Sequence, residues 1–132
     1  MMDEINRYFS DIYFELHPIH QEVISHQSVR ILQMVHKKQF VMIRDIAEHL
    51  SISHNTASEH AKKLVSNGWL YKERDDKDQR KVYLHLTELG VKILKKNTEL
   101  DKEKLQAALD KLSDKEIIQV VKAFQLLSEV SK

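Results

Sequence analysis

Apolar residues recur at helical spacing from the start of the chain: Ile5, Tyr8, Phe9, Ile12, Leu16, Ile19 and Val23. The pattern runs through Pro18, and an interior proline kinks a helix by removing one backbone hydrogen bond. One bent helix over roughly residues 3–23 is therefore expected. Ser25 is placed to cap a second helix carrying Val29, Leu32, Met34 and Val35, closed by Lys37-Lys38-Gln39-Phe40. A third, short helix turns Ile43, Ile46, Ala47 and Leu50 inward, with Met42 where a Ser, Thr or Asp cap is preferred. After the break Ser51-Ile52-Ser53, Ser53 caps a fourth helix running to about Asn67. Its buried stripe is Ala57, Ala61 and Leu64, with Val65 beside it, and Gly68 is placed as the C′ glycine.

There the period changes from that of a helix to the alternation of a strand. Trp69–Arg74 and Lys81–Leu86 read as two strands, and the polar run Asp75–Arg80 between them reads as a hairpin tip. Thr87 then caps a fifth helix whose apolar residues include Ile93, Leu94, Leu100, Leu105, Ala108, Leu109 and Leu112. Ser113-Asp114-Lys115-Glu116 has the form of a capping box. The last helix is expected to bury some of Ile117, Val120, Val121, Phe124, Leu127 and Val130. The expected order is six helices with one hairpin between the fourth and the fifth, a mainly α fold with a small β wing.

Composition narrows the chemistry. With 2 Gly and 1 Pro in 132 residues, a phosphate site built on a glycine-rich loop is excluded. The absence of Cys removes disulfides, thiolate nucleophiles, zinc fingers and thiol redox sensing. No apolar run approaches the ~18 residues of a membrane helix, and the acidic start does not resemble a signal peptide, so no membrane partner and a cytoplasmic location are expected. The net charge of +1 points to no particular partner. Its distribution is uneven: residues 1–30 hold two Lys/Arg against five Asp/Glu, whereas residues 53–81 hold seven against five. A nucleic-acid surface would therefore be local. No Ser-His-Asp order, catalytic carboxylate pair or cofactor motif is present, so neither an enzyme nor a bound cofactor is expected.

Two short helices joined by a three-residue turn and followed by a hairpin form a winged helix-turn-helix. At 100° per residue, Ala57, Ala61 and Leu64 point one way on the fourth helix. Asn55, Glu59, Lys62, Lys63 and Ser66 point the other, flanked by Thr56 and Ser58. These are side chains suited to base edges and phosphates: Asn55 for adenine, Glu59 for a cytosine amine, Lys62 and Lys63 for phosphate or guanine. The hairpin tip offers Lys77, Arg80 and Lys81 to a neighbouring minor groove or backbone.

In this order and spacing the sequence resembles the MarR family of bacterial winged-helix transcriptional regulators, from Ile24 to Gly90, half the chain. Ile24-Ser25 and Leu32 match the family's opening of the second helix, and Asp45–Ser53 its helix and turn. Ser58, Leu64 and Gly68-Trp69-Leu70 match the recognition helix and its exit. Asp78-Gln79-Arg80 matches the wing's Asp-x-Arg, ten and twelve residues after Gly68, and Leu86-Thr87 with Gly90 matches the opening of the fifth helix. Lys72 stands where the family often has Arg.

The resemblance implies a homodimer joined through the first, fifth and sixth helices, residues of about 1–24 and 88–132 around a core of about 25–90, all in one domain. It implies a recognition helix in each major groove of a pseudo-palindromic double-stranded DNA site. It also places Arg80 in the minor groove with Asp78 positioning it, and repression by occluding a promoter. The DNA-binding candidates are Ser53, Asn55, Thr56, Ser58, Glu59, Lys62 and Lys63 on the helix and Lys72, Arg74, Lys77, Asp78, Arg80 and Lys81 on the wing. Asp75, Asp76 and Asp78 make this wing more acidic than a DNA-facing tip calls for, an effect that pairing of Asp78 with Arg80 would offset. The alternative is a winged helix that binds protein without DNA.

Many members of the family release DNA on binding a small, often phenolic molecule. Tyr8, Phe9, Tyr13 and Trp69 are the candidates for such an effector pocket, although the spacing of Tyr8, Phe9 and Tyr13 equally fits dimer core. His17, His20, Glu22 and His26 cluster within ten residues and have donor types that suit zinc. In a chain with eight His, surface or interface histidines are the simpler account, and no metal is expected.

Overall fold

The computed structural model describes residues 1–20 and 22–132. These fall into two compact units, one of residues 1–18 and 99–132 and one of residues 19–98. Along the chain they contain α1 (Met2–Leu16), α2 (His26–Lys37), α3 (Ile43–Leu50), α4 (His54–Ser66), β1 (Leu70–Arg74), β2 (Val82–Leu86), α5 (Glu88–Thr98), α6 (Lys102–Leu109) and α7 (Asp114–Val130). Among the described residues no helix is long and apolar enough to cross a membrane.

Two helix boundaries differ from the sequence expectation. α1 ends at Leu16 and does not bend through Pro18. The proline ring crowds the preceding residue out of the α region, and His17 is extended at φ −71°, ψ 150°. The His17 ring closes the helix end, with Nδ1 2.8 Å from the Tyr13 carbonyl and 3.1 Å from that of Phe14. Gln21, within the expected first helix, lies outside the described residues. The expected fifth helix is two, because Asp101 caps a new one by accepting the Lys104 amide at 2.9 Å. Seven helices thus replace six among the described residues. In the first unit the Asp101 amide donates to the Leu16 carbonyl at 2.8 Å and Lys104 Nζ to that of His17 at 3.0 Å, tying α1 to the start of α6.

The expected caps are in place. Ser25 accepts the Ser28 amide, Ser53 that of Thr56, and Ser113 that of Glu116, whose carboxylate returns the bond to complete the capping box. Met42 has no capping hydroxyl, but the Asp45 carboxylate accepts its amide at 2.8 Å. Ser51 makes the left-handed turn between α3 and α4 at φ 55°, and Gly68 the one after α4 at φ 80°.

The core of the second unit is Ile31, Leu32 and Val35 of α2, Val41, Ile46 and Leu50 around α3, Ala57, Ala61 and Leu64 of α4, Leu70 and Leu84 of the hairpin, and Ile93 and Leu94 of α5. The strands pair antiparallel in the register Leu70 with Leu86 and Arg74 with Val82. Thr87 joins the hairpin to what precedes and follows it. Its hydroxyl donates to the Gly68 carbonyl at 2.6 Å and accepts the Gly90 amide at 2.9 Å, while its own amide donates to the Trp69 carbonyl at 3.1 Å. Gly90 passes so close that an added Cβ would overlap the Trp69 carbonyl.

In the first unit α1, α6 and α7 have no buried residue. The expectation that the last helix buries its apolar stripe therefore fails within one chain. Val121, Phe124, Leu127 and Val130 are all exposed, because no element of the same unit covers them.

Candidate nucleic-acid interface

α4 is oriented by its buried stripe. Ala57 and Ala61 are fully buried and small, which lets the helix lie close against the core, and Leu64 anchors its last turn. The opposite face is open: Asn55, Thr56, Glu59, Lys62 and Lys63 are exposed and Ser58 is half-buried. The Ser53 hydroxyl accepts the Thr56 amide at 3.1 Å and donates to the Thr56 hydroxyl at 2.8 Å. Those two hydroxyls are engaged with each other at the helix start, whereas the side chains of Asn55, Glu59, Lys62 and Lys63 make no hydrogen bond among the described residues.

On the hairpin, alternation divides the side chains between two faces. Lys72, Arg74, Val82 and Leu84 line a cleft of about 710 Å³ that also takes in Met42, Ile43 and Arg44 at the start of α3, His54 at the start of α4, and Asp78, Arg80 and Lys81 of the tip. Five cationic side chains and a histidine face a single carboxylate there. The sequence reading missed Arg44 and His54. Arg44 is an exposed residue beside Ile43, and His54 directly follows the Ser53 cap. Only the packing of α3 and α4 against the wing brings them to Lys72 and Arg74.

The tip is braced by hydrogen bonds. Arg74 Nη1 donates to the Gln79 carbonyl at 2.8 Å, so this cation spans the loop. Asp78 accepts the Arg80 amide at 3.1 Å and the Arg80 Nε at 3.2 Å, the pairing expected from the sequence. The Arg80 side chain is 91% exposed and that of Asp78 only 31%. The Arg80 guanidinium holds the Asp78 carboxyl below the ordinary aspartate range, aided by the Arg80 amide. Asp75 is lowered too, first by the Lys77 amide, then by the Asp78 amide and the Tyr83 hydroxyl. Lys77 and Lys81 are exposed.

The other candidates are placed as follows. Tyr8, Phe9 and Tyr13 are exposed on α1 in the first unit. Trp69 is half-buried against the core of the second. His20 Nδ1 lies 3.6 Å from one oxygen of Glu22 and Lys96 Nζ 3.5 Å from the other. His26 is the first residue of α2, and the Nδ1 of His17 is taken up by the end of α1. Among the described residues no three His, Asp or Glu side chains converge as a metal site.

Residues 24–82 match the model of the MarR family. Over 125 residues the chain is 23% identical to YpoP, an uncharacterized HTH-type transcriptional regulator of Bacillus subtilis (strain 168), covering 95% of this chain and 89% of that protein. S. aureus MepR bound to ethidium bromide has the same fold, with a TM-score of 0.66 at 22% identity over 98% of this chain and 96% of that one. A mutant of MepR bound to an oligodeoxyribonucleotide gives 0.56 at 24% identity, over 81% and 80%. The matched segment runs from the residue before the α2 cap to the first residue of β2, so the likeness to the MarR family lies in the helix-turn-helix and the first strand of the wing.

Proposed function

We propose that the protein is a sequence-specific transcriptional regulator that binds double-stranded DNA as a homodimer in the cytoplasm and represses by occluding a promoter. The observation that carries this is the conjunction, on one unit, of an exposed polar α4 face, a cationic cleft and an exposed Arg80 held by its own loop. α4 enters the major groove, where Asn55 and Glu59 read base edges and Lys62 and Lys63 hold phosphate or guanine. The wing lies along the minor groove with Arg80 at its tip. Lys72, Lys81, Arg44 and His54 take backbone phosphates, which position the protein without reading sequence. The MepR complex with an oligodeoxyribonucleotide supports DNA as the partner of this fold.

The second copy covers the apolar faces of α1 and α7, and the site is then a pseudo-palindrome with half-sites about one helical turn apart. Release by a small aromatic effector completes the proposal. The complex of MepR with ethidium bromide supports this class of ligand.

The test is selection from a random duplex library at two salt concentrations. An enriched pseudo-palindrome is the expected result, with affinity falling steeply as salt rises and with Lys62→Ala reducing the salt slope by about one. No enrichment and a flat salt response would instead mark a winged helix with a protein partner.

A further inference from the structure

Of the three aspartates at the wing tip, Asp75 is the one whose carboxylate ties three other residues together. Asp75 Oδ1 accepts the Lys77 amide at 2.7 Å and the Asp78 amide at 3.0 Å. Asp75 Oδ2 accepts the Tyr83 hydroxyl at 2.9 Å. The loop is closed beneath it by the Asp75 amide donating to the Lys81 carbonyl at 2.9 Å and the Lys81 amide to the Asp78 carbonyl at 3.0 Å. Tyr83 belongs to β2, and its ring meets that of Phe40 edge-on, with centroids 5.3 Å apart. A continuous path thus runs from the strand through the Tyr83 hydroxyl to Asp75, through the Asp78 amide to the Asp78 carboxylate, and on to the Arg80 guanidinium.

We infer that Asp75, anchored by Tyr83, is the positioning residue that fixes the Asp78–Arg80 pair and so presents Arg80 to DNA. The inference rests on the DNA-binding function proposed above. Without Asp75 the Asp78 amide loses its acceptor, and the carboxylate that orients Arg80 is carried on a loose turn. A long side chain exposed at a loop tip gives up rotamer freedom when it is immobilised on a ligand. The path from Tyr83 removes part of that freedom before binding.

Electrostatics alone makes the opposite prediction. Asp75 and Asp76 are adjacent carboxylates at a surface that meets phosphate, so neutralising either would strengthen DNA binding by relieving repulsion. Asp76 is exposed, whereas Asp75 is half-buried and carries three hydrogen bonds. The two neighbours should therefore respond to substitution with opposite signs.

The experiment measures binding of the protein at low salt to a duplex of about 30 base pairs that contains A-tracts, whose narrow minor groove attracts arginine. Asp75→Ala is expected to weaken binding about tenfold and Arg80→Ala by a similar factor, within the range of one good groove contact. Asp75→Asn keeps a carbonyl acceptor for the two amides and should stay within about threefold of the parent. Asp76→Ala should bind as well as the parent or better. In the Arg80→Ala background, adding Asp75→Ala should cost less than about twofold, because the two residues act as one unit. Asp75→Ala binding as tightly as the parent, or weakening additively with Arg80→Ala, would overturn the inference. A readout independent of DNA is the ¹⁵N order of the Arg80 Nε–H group, which should drop in Asp75→Ala and Tyr83→Phe and hold in Asp75→Asn. If the parent binds no duplex, the DNA-binding proposal falls. The Arg80 Nε–H order then decides the positioning role by itself, and unchanged order in Asp75→Ala overturns it.

Discussion

Residues 19–98 bury thirteen apolar side chains against one another, whereas residues 1–18 and 99–132 form three helices without one buried residue. Both regions show helical periodicity of comparable clarity, and both have sound caps. They differ in what covers the apolar stripe. In the second unit α2, α3, α4, α5 and the hairpin cover one another, so the fold closes within the chain. In the first, α1 and α7 expose Phe9, Phe14, Phe124 and Leu127, and helices of this kind draw most of their stability from packing. An apolar stripe therefore shows that a helix is to be buried, without showing whether its cover comes from the same chain.

The contrast is broken most directly at α7. Phe124→Asp puts a charge on the face that a second copy is proposed to cover. It should weaken dimerisation by about 3 kcal/mol or more, the scale of burying an unpaired charge. Sedimentation would show a monomer at concentrations where the parent is dimeric, with the second unit still folded; an unchanged dimer would move the interface elsewhere. Gly90→Ala is the complementary test. The new Cβ meets the fixed Trp69 carbonyl, so a loss of about 1–3 kcal/mol is expected in thermal unfolding, the cost of overpacking, with dimerisation retained. Ser53→Ala removes the cap of α4 and should cost about 1 kcal/mol, read in the same way.

The smallest effect concerns pH. The Asp75 carboxyl is depressed chiefly by the Lys77 amide and that of Asp78 chiefly by the Arg80 guanidinium. A carboxyl lowered on folding contributes order above its unfolded pKa and loses it as pH falls through the folded one. Wing order should therefore be complete at neutral pH and decline only below the ordinary aspartate range. Amide exchange at Lys77, Asp78 and Arg80 should rise there before that of Ile31 or Leu64; simultaneous loss would make wing and core one cooperative unit.

What the sequence made legible was local or periodic. Ser25, Ser53 and Ser113 mark helix starts, Gly68 marks an end, and the change of period after Gly68 marks the hairpin, all properties of neighbouring residues. The two misplaced boundaries came from letting apolar spacing outrank local chemistry. Ile19 and Val23 continue the stripe of α1, yet the proline sterically sets His17 extended. Leu100 and Leu105 continue that of α5, yet Asp101 begins a helix of its own. The pairing of Asp78 with Arg80 was implied by the resemblance of the wing, and the polar face of α4 could be read from spacing. Arg44 and His54 could not, because α3, α4 and β1 meet only in three dimensions. Nor could the demand on Arg74, whose guanidinium is committed to the Gln79 carbonyl across the loop.

The junction at Thr87 has a mechanical consequence. One hydroxyl and one amide fasten the end of α4, the root of β1 and the first turn of α5, and Gly90 leaves no slack between α5 and the Trp69 carbonyl. The recognition helix, the wing and α5 therefore share a stiff joint. A torque applied along α5 would reach α4 and the wing as a tilt of the whole assembly, and in the proposed DNA complex both would swing off their grooves together.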